Sequence, residues 1–522
     1  MPDPVLVTPF DENNQKLVDQ VHPSDWTNPE PAGIYHLVVI GGGTAGLVAA
    51  AVTAGLGGRV ALVERHLLGG DCLNTGCVPS KAMIRAARAW RELATAAPHG
   101  LREAAAVRDF GAAMKRMREV RAALAPQDSA WRFRELGVEI FLGHGRFVSP
   151  HEVEVDGRRL AFHRALVATG GRPAVPTVPG LADAGFLTSE SVFSLQQLPA
   201  RLAVVGGGPL GCELAQAFAR FGAQVTLLVD RDHLLPREEP EAAAVVARVL
   251  EGEGVRIVTG ARLTAVERGP RSKSLRFASG EQEHRLAVDE ILIATGRRPV
   301  VEDLGLDAAG VAWSERGVTV DDRLRTTNPA VYAAGDVASE YKFTHAADAM
   351  ARLVVRNALF LGKERVSDLV IPWTTFTSPE VARVGLSEDQ LRERGIRFES
   401  IEVQLAENDR ARLEGAADGF LRIHHKRGKD EILGATLVAD HAGETIGELV
   451  LAMRNRIGLG SLSATIHPYP TQAEVIRRAG DLWRRKQLTT LRRKLLAFWF
   501  RRLESGARKR LAKAAAAAGP AS

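Results

Sequence analysis

Apolar runs and glycine turns divide this chain into repeating units. From His36 the run HLVVI is continuously apolar and reads as a buried strand; it breaks at GGGTAG, and LVAA continues as a helix. A second apolar strand, Arg59–Val63, ends in Glu64. The same strand–glycine–helix order returns 165 residues later in RLAVVGGGPLGCELA. Arg- and Ala-rich helices are expected over about Ala82–Leu93 and Phe110–Leu124, followed by short strands and turns to Val155. From about Ile371 the pattern changes to alternating strands (WTTFTSPEVARVGLSE, FLRIHHKRG, EILGATLVA), then helices over about Glu444–Met453 and Gln472–Arg478. Residues 1–33 are Pro-rich and lack periodicity, which predicts an arm lying on the surface or reaching a partner subunit.

The glycines carry chemistry because of where they fall. In Gly41-x-Gly43-Thr44-Ala45-Gly46 the first makes the turn after the strand, the second lets backbone approach a pyrophosphate, and the third lets the helix pack. Glu64, eighteen residues past Gly46, is placed to accept from a ribose hydroxyl, with Arg65 beside it. The second unit repeats this as Gly206-x-Gly208-Pro209-Leu210-Gly211. Each unit ends in an echo, Ala168-Thr169-Gly170-Gly-Arg-Pro and Ala294-Thr-Gly296-Arg-Arg-Pro. Two dinucleotide-binding domains are therefore expected.

Between them lies GGDCLNTGCVPSK, Gly69–Lys81, with four residues between Cys72 and Cys77. Pro79 suits the first turn of a helix, and a helix starting here would favour a thiolate at its positive end. Gly76 marks a position where a strained backbone needs no Cβ. The plain alternative is a pair of buried apolar cysteines or half a zinc site; no His or Cys with ligand spacing follows, and no resident metal is expected.

This segment resembles the active-site sequence of the flavin-dependent pyridine nucleotide–disulfide oxidoreductases, the family of dihydrolipoamide dehydrogenase, glutathione reductase and mercuric reductase. The resemblance covers roughly Ile34–Gly480 and implies an α/β chain: two Rossmann-like FAD and NAD(P) domains plus an α+β C-terminal dimerisation domain of a homodimer. The implied partition is an arm (1–33), a FAD domain in two parts (34–195 and 301–370) around an NAD(P) domain (196–300), a dimerisation domain (371–480) and a basic tail (481–522). The FAD residues would be Gly41, Gly43, Thr44, Ala45, Gly46, Glu64, Arg65, Gly70, Asp71, Lys81, Thr169, Gly170, and Gly335-Asp336 of a second flavin motif. Those for NAD(P)H would be Gly206, Gly208, Pro209, Leu210, Gly211, Glu213, Asp230, Arg231 and Gly296.

By the same resemblance Cys77 is the flavin-side thiolate, Cys72 the interchange thiol, and Lys81 pairs with Glu213 near the flavin. Cys212 reads as a packed apolar residue. Val229 holds the place equivalent to Glu64; the neighbouring Asp230 favours NADH, while Arg231 or Arg237 would favour NADPH, and NADH is preferred. Disulfide reductases of the family end in His-Pro-Thr-x-x-Glu, yet here Tyr469 stands at the histidine's place before Glu474, with His467 two residues earlier. His467 is either a recruited base or an ordinary hydrogen-bonded histidine. Mercuric reductases also carry a tyrosine here, but their C-terminal cysteine pair is absent, since no cysteine follows Cys212.

Composition changes the picture at one end. Over 522 residues the net charge is only +6, but residues 481–513 hold twelve Lys or Arg against Asp481 and Glu504. Leu488, Leu491, Leu495, Phe498, Trp499 and Leu503 recur there at helical spacing. The simpler reading is a helix packed on the dimer followed by a disordered Ala-rich end; the other is a helix lying on anionic lipid through 481–513. Nucleic acid is not expected as a partner. Three cysteines, no signal-like start and no long apolar run predict a cytoplasmic protein, with the inner membrane face as the tail's alternative. The expected reactions are NAD(P)H-dependent reduction of a small or thiol-bound metal-ion acceptor, turnover of a disulfide or dihydrolipoamide, or a membrane-docked redox sensor.

Overall fold

The computed structural model describes residues 7–100 and 108–517, to which all element counts refer; the first residues of the arm and the last of the tail lie outside them. The chain is mixed α/β and divides into two compact units, Met1–Ser378 and Pro379–Ser522.

In the first unit, Val138–Leu142, Val60–Glu64, Tyr35–Ile40 and Arg158–Val167 lie side by side, all parallel, with Val331–Ala333 parallel to the last. An antiparallel hairpin, Arg146–Ser149 and Glu152–Val155, extends this sheet. The strands are buried on both faces, so their sequences are continuous apolar runs rather than alternating ones. Helices Thr44–Gly55 and Thr344–Leu359 pack together over one face, burying Leu47, Ala50, Met350, Leu353 and Val354. The second Rossmann sheet runs Arg256–Val258, Gln224–Leu228, Arg201–Val205, Glu290–Ile293, again all parallel. The two echo motifs pair with each other: Gly171–Pro173 lies antiparallel to Arg297–Pro299.

The N-terminal segment differs from the expected surface arm. Glu12–Val21 is a helix capped by Asp11, and Leu17, Val18, Val21 and Trp26 are buried in the first core. Its apolar positions are few among polar ones, so the periodicity is weak although the packing is complete. The cysteine helix starts earlier than expected, at Cys77, and runs to Ala94.

In the second unit Glu380–Gly385, Ile432–Ala439, Phe420–Lys426 and Phe398–Gln404 form an antiparallel sheet with helices Ala442–Arg454 and Glu474–Lys486. The tail is one helix, Thr490–Ala517, with no buried residue; its Ala-rich end is helical, not irregular, as alanine's propensity allows.

Candidate active site

The first fingerprint closes on itself as a cradle. Gly41 has φ +109°, and a Cβ there would lie 2.3 Å from the Ala168 carbonyl oxygen; a Cβ at Gly46 would lie 1.8 Å from that of Gly41. The backbone N–H groups of Gly42 and His66 donate to the two oxygens of Glu64, each at 2.6 Å, while burial raises this carboxyl's pKa. Helix Thr44–Gly55 begins at Gly43 without a side-chain cap, so its first-turn N–H groups are free for an anion. Ala45 is buried in that first turn. Gly143, His144 and Gly145 line one cavity with Ile40, Glu64 and Arg65. Thr169 Oγ1 donates to the Val300 carbonyl at 2.7 Å, and Gly170 O accepts the Val300 N–H at 3.0 Å. An uncapped helix start after the glycine turn, and a cavity lined by Gly41, Glu64 and Arg65 at the strands' carboxyl ends, fit the pyrophosphate and adenosine of FAD. The glycine–histidine–glycine turn was missed in the sequence, because nothing local distinguishes it from any other turn.

The cysteines sit on two helix starts. Gly70 and Asp71 open a short turn, Gly70–Asn74, that carries Cys72; Cys77 is the first residue of the long helix. Gly76 is needed for space rather than for a left-handed φ: its φ is −132°, but a Cβ would lie 2.8 Å from the Asp71 carbonyl oxygen. The Cys72 thiol donates to the Cys77 sulfur, which lowers the pKa of Cys77 to about 6 and raises that of Cys72. Thr344 Oγ1, 3.4 Å from Cys77 Sγ, and the charge of Lys81 push Cys77 the same way. Thr344 is also the first residue of an uncapped sixteen-residue helix. Lys81 Nζ lies 2.8 Å from Glu213 Oε2, whose other oxygen accepts the Phe376 N–H at 2.8 Å. The Phe376 ring centroid is 4.5 Å from Lys81 Nζ. Cys212 is fully buried and donates to the Gly207 carbonyl.

Arg297, passed over within its echo motif, gathers the flavin-motif acids. It is paired with Asp71, and its Nε donates to Asp336 at 3.0 Å, next to Gly335. This juxtaposition joins three stretches far apart in sequence, so only the fold reveals it.

In the second fingerprint, Gly208 precedes helix Pro209–Arg220, again without a side-chain cap, with Leu210 and Gly211 in its first turn. Gly206 and Gly296, with φ +117° and +114°, follow the ends of adjacent strands. Val229 is buried and offers no acceptor like that of Glu64. Asp230 and Arg231 are both exposed and 4.0 Å apart, whereas Arg237 turns to the Glu340 carbonyl.

In the second unit the three C-terminal groups do not converge on one another. His467 is held by Glu448, Nε2 to Oε2 at 3.0 Å, with its side chain only 5% exposed. Tyr469 is exposed and donates to Asp409 at 3.0 Å, which raises its pKa. Glu474 is buried between Arg477 and Arg478.

The chain matches the family described as pyridine nucleotide-disulphide oxidoreductase over residues 35–351, and that family's dimerisation domain over 371–479. A mercuric reductase of Streptomyces lividans is 39% identical over 457 residues, spanning 86% of this chain and 96% of the relative. A dihydrolipoyl dehydrogenase of Thermus scotoductus is 34% identical over 475 residues, spanning 88% and 99%. Among solved structures, the Cu(II) complex of the HOCl-induced flavoprotein disulfide reductase RclA from Escherichia coli superposes with a TM-score of 0.77 at 29% identity, over 86% of this chain and all of that one. This chain belongs to the class I pyridine nucleotide–disulfide oxidoreductases, enzymes that use FAD and NAD(P)H, and its dimerisation domain supports a homodimer.

Proposed function

We propose that this oxidoreductase passes electron pairs from NAD(P)H through the Cys72–Cys77 dithiol to a thiophilic metal ion, as a mercuric reductase-like enzyme. The observation that carries the reading is the pair itself: Cys77 lies 3.4 Å from Thr344 Oγ1 and one helical turn before the lysine of the Lys81–Glu213 ion pair, and Cys72, Thr344 and Lys81 all push its pKa down. FAD would be held along the first fingerprint and by Asp71 and Asp336, and when bound would supply the relay between a hydride donor and a disulfide. As the Cys72–Cys77 bond takes the electron pair it breaks, and the hydride's proton ends on one sulfur, leaving a thiol and a thiolate. Lys81 favours the thiolate at Cys77; Cys72, the interchange thiol by the family's order, meets the acceptor. Two electrons then pass to an ion held by both sulfurs, the disulfide re-forms and the remaining proton leaves.

Tyr469 at the place of the disulfide reductases' histidine favours the metal acceptor over a thiol leaving group, which needs a general acid. Relatives named mercuric reductase and a similar structure described as a Cu(II) complex support the same class of substrate. A second reading, turnover of a disulfide or dihydrolipoamide, draws on the His467–Glu448 pair, which has the make-up of a carboxylate-oriented base. Asp230 supports NADH as donor, against Arg231 for NADPH.

Among the described residues no helix is long and apolar enough to cross a membrane. Peripheral contact is a further part of the proposal: Phe498, Trp499 and Phe500 are exposed on a helix that also carries Arg492, Arg493, Lys494, Arg501 and Arg502. An anionic inner membrane face is the surface this chemistry fits.

The test is anaerobic titration with NADH and NADPH, followed by re-oxidation with Hg(II)–thiol, Cu(II)–thiol or lipoamide. A long-wavelength absorbance on two-electron reduction, with fastest re-oxidation by a metal complex, is expected. Fastest re-oxidation by lipoamide selects the second reading; reduction without any such absorbance removes the dithiol from the electron path.

A further inference from the structure

Three residues from distant parts of the chain meet behind the cysteine loop. Arg121, on helix Phe110–Leu124, is 4% exposed. Its Nη1 donates to the Asn74 carbonyl at 2.7 Å, and its Nη2 to Oδ1 of Asn14 at 2.5 Å. Asn74 lies between the two cysteines, two residues past Cys72 and three before Cys77. Asn14 belongs to the N-terminal helix and is itself fully buried, its side-chain amide donating to the Pro9 carbonyl at 2.6 Å. One turn before Arg121, Arg118 Nε donates to Asp11 Oδ2 at 2.6 Å and fixes the same helix.

The N-terminal segment also holds the loop's other shoulder. The Leu68 N–H donates to the Val21 carbonyl at 3.1 Å. Asn74 Nδ2 returns to the Leu68 and Gly70 carbonyls at 3.0 and 2.8 Å. Residues before 35 lie outside the stretch matched by the oxidoreductase family, so this bracket is an addition to the matched fold.

The charge is the informative part. A buried guanidinium usually faces a carboxylate, because desolvating an unpaired cation is costly. Here the hydrogen-bonded partners of Arg121 are two neutral amide oxygens, and its Nε has no partner. Burial lowers its pKa to about 10, and the side chain remains a cation at neutral pH. A brace alone would need no charge, whereas a loop that alternates between disulfide and thiolate gains from a fixed cation behind it in one state only.

We propose that the N-terminal segment is a working part of the redox centre: Asn14 clamps Arg121 against the Asn74 carbonyl, making Arg121 a positioning residue that holds the Cys72–Cys77 loop and favours its thiolate form. The proposal rests on the dithiol being the working pair. The charged groups acting directly on the cysteines are Lys81, which favours the Cys77 thiolate, and Glu213 and Asp128, which oppose ionisation; Arg121 acts through the Asn74 carbonyl it holds, and the charges facing it are Arg118 and Asp11.

The experiment uses reduced, FAD-loaded full-length protein and iodoacetamide. Alkylation of Cys72 and Cys77 is followed separately by peptide mass across about pH 5 to 9, where thiolates titrate. Arg121→Met is expected to move the half-maximal pH upward by about half a unit, roughly a threefold loss of thiolate below the midpoint. Arg121→Lys should recover part of the shift, and Asn14→Ala should move it the same way but less. If Arg121→Met keeps its FAD and alkylates with the wild-type profile, Arg121 is only a brace and the proposal is overturned. If Arg121→Met fails to fold, Asn14→Ala decides alone, since it leaves the bond to Asn74 intact; an unchanged profile there overturns the clamp. Failure of NAD(P)H to reduce the dithiol in wild-type protein would instead overturn the electron path, and the alkylation profile would still report on Arg121.

Discussion

Lys81 and Glu213 form a 2.8 Å ion pair between the cysteine helix and the helix of the second fingerprint, 132 residues apart in sequence. Only the lysine retains solvent contact: its side chain is 36% exposed and that of Glu213 4%. The pair thus places a positive charge one helical turn past Cys77 and anchors it from the helix of the second fingerprint.

Removing that charge should act on the thiolate before it acts on anything else. In Lys81→Met, Cys77 loses an attractive partner and is left facing the Glu213 carboxylate, which opposes ionisation. The onset of thiolate reactivity, expected near pH 6 in the native protein, should rise by about one pH unit. The sign follows from the shift: Cys77 is ionised above its lowered pKa, and raising that value confines the thiolate to more alkaline solution. Alkylation rate against pH checks it. An unchanged onset would mean that the ionisation is set without Lys81, by groups such as Cys72 and Thr344.

The two glycine substitutions Gly46→Ala and Gly55→Ala separate geometry from helix propensity within one helix. A Cβ at Gly46 meets the Gly41 carbonyl oxygen at 1.8 Å, whereas at Gly55 nothing lies within 4 Å. Gly46→Ala should lose bound FAD, read as the flavin-to-protein absorbance ratio. Gly55→Ala should keep it and unfold at slightly higher temperature, as alanine is favoured over glycine in helices by about 0.5–1 kcal/mol.

Gly41, Gly43 and Gly46 were legible because each demand is local: a turn, a close approach and a packed helix start leave their mark within a few residues. Lys81 and Glu213 were legible only through resemblance, since each alone passes for a helix-surface charge. Arg121, Arg297 and the N-terminal helix were not legible at all. Their partners lie 39 to 226 residues away, and the polar helix Glu12–Val21 shows only three buried apolar positions. The reverse holds for the tail, whose pattern is visible in sequence while nothing among the described residues buries it.

For the nicotinamide, Asp230 and Arg231 stand exposed at the end of the strand where a ribose acid is expected, and neither is locked in place. Asp230→Ala should raise KM for NADH several-fold with little effect on NADPH. Arg231→Ala should do the opposite. Steady-state rates with both donors decide it, and a KM for NADH unchanged by Asp230→Ala removes the preference proposed for that donor.

His467 offers a direct separation of acceptors. Its ring is nearly buried against Glu448, and His467→Ala should lower stability by about 1–3 kcal/mol by leaving a carboxylate without its partner. Metal-dependent NAD(P)H oxidation should stay within about twofold, because that reaction protonates no leaving thiol. A loss of about 10² or more in lipoamide reduction would identify the histidine as a recruited base.

The tail prediction turns on the order in which charge and apolar contact act. Nine cations and Glu504 lie on Thr490–Ala517, every residue of that helix is unburied, and Leu495, Phe498, Trp499 and Phe500 are all exposed. Long-range attraction to an anionic surface contributes about 1 kcal/mol per Lys or Arg near it and weakens within a Debye length of roughly 8 Å at physiological salt. Buried aromatics then hold contacts that salt does not screen. Co-sedimentation should therefore occur with anionic vesicles and not with neutral ones, and should weaken as salt rises. Trp499→Ala should raise the residual salt sensitivity, because less of the binding is then apolar. Removing residues 488–522 should abolish binding while leaving NAD(P)H oxidation intact. Equal binding to neutral and anionic vesicles, or binding that survives the truncation, would show that the helix is not the docking surface; a truncated protein that no longer dimerises would show that the helix instead covers a second copy of this chain.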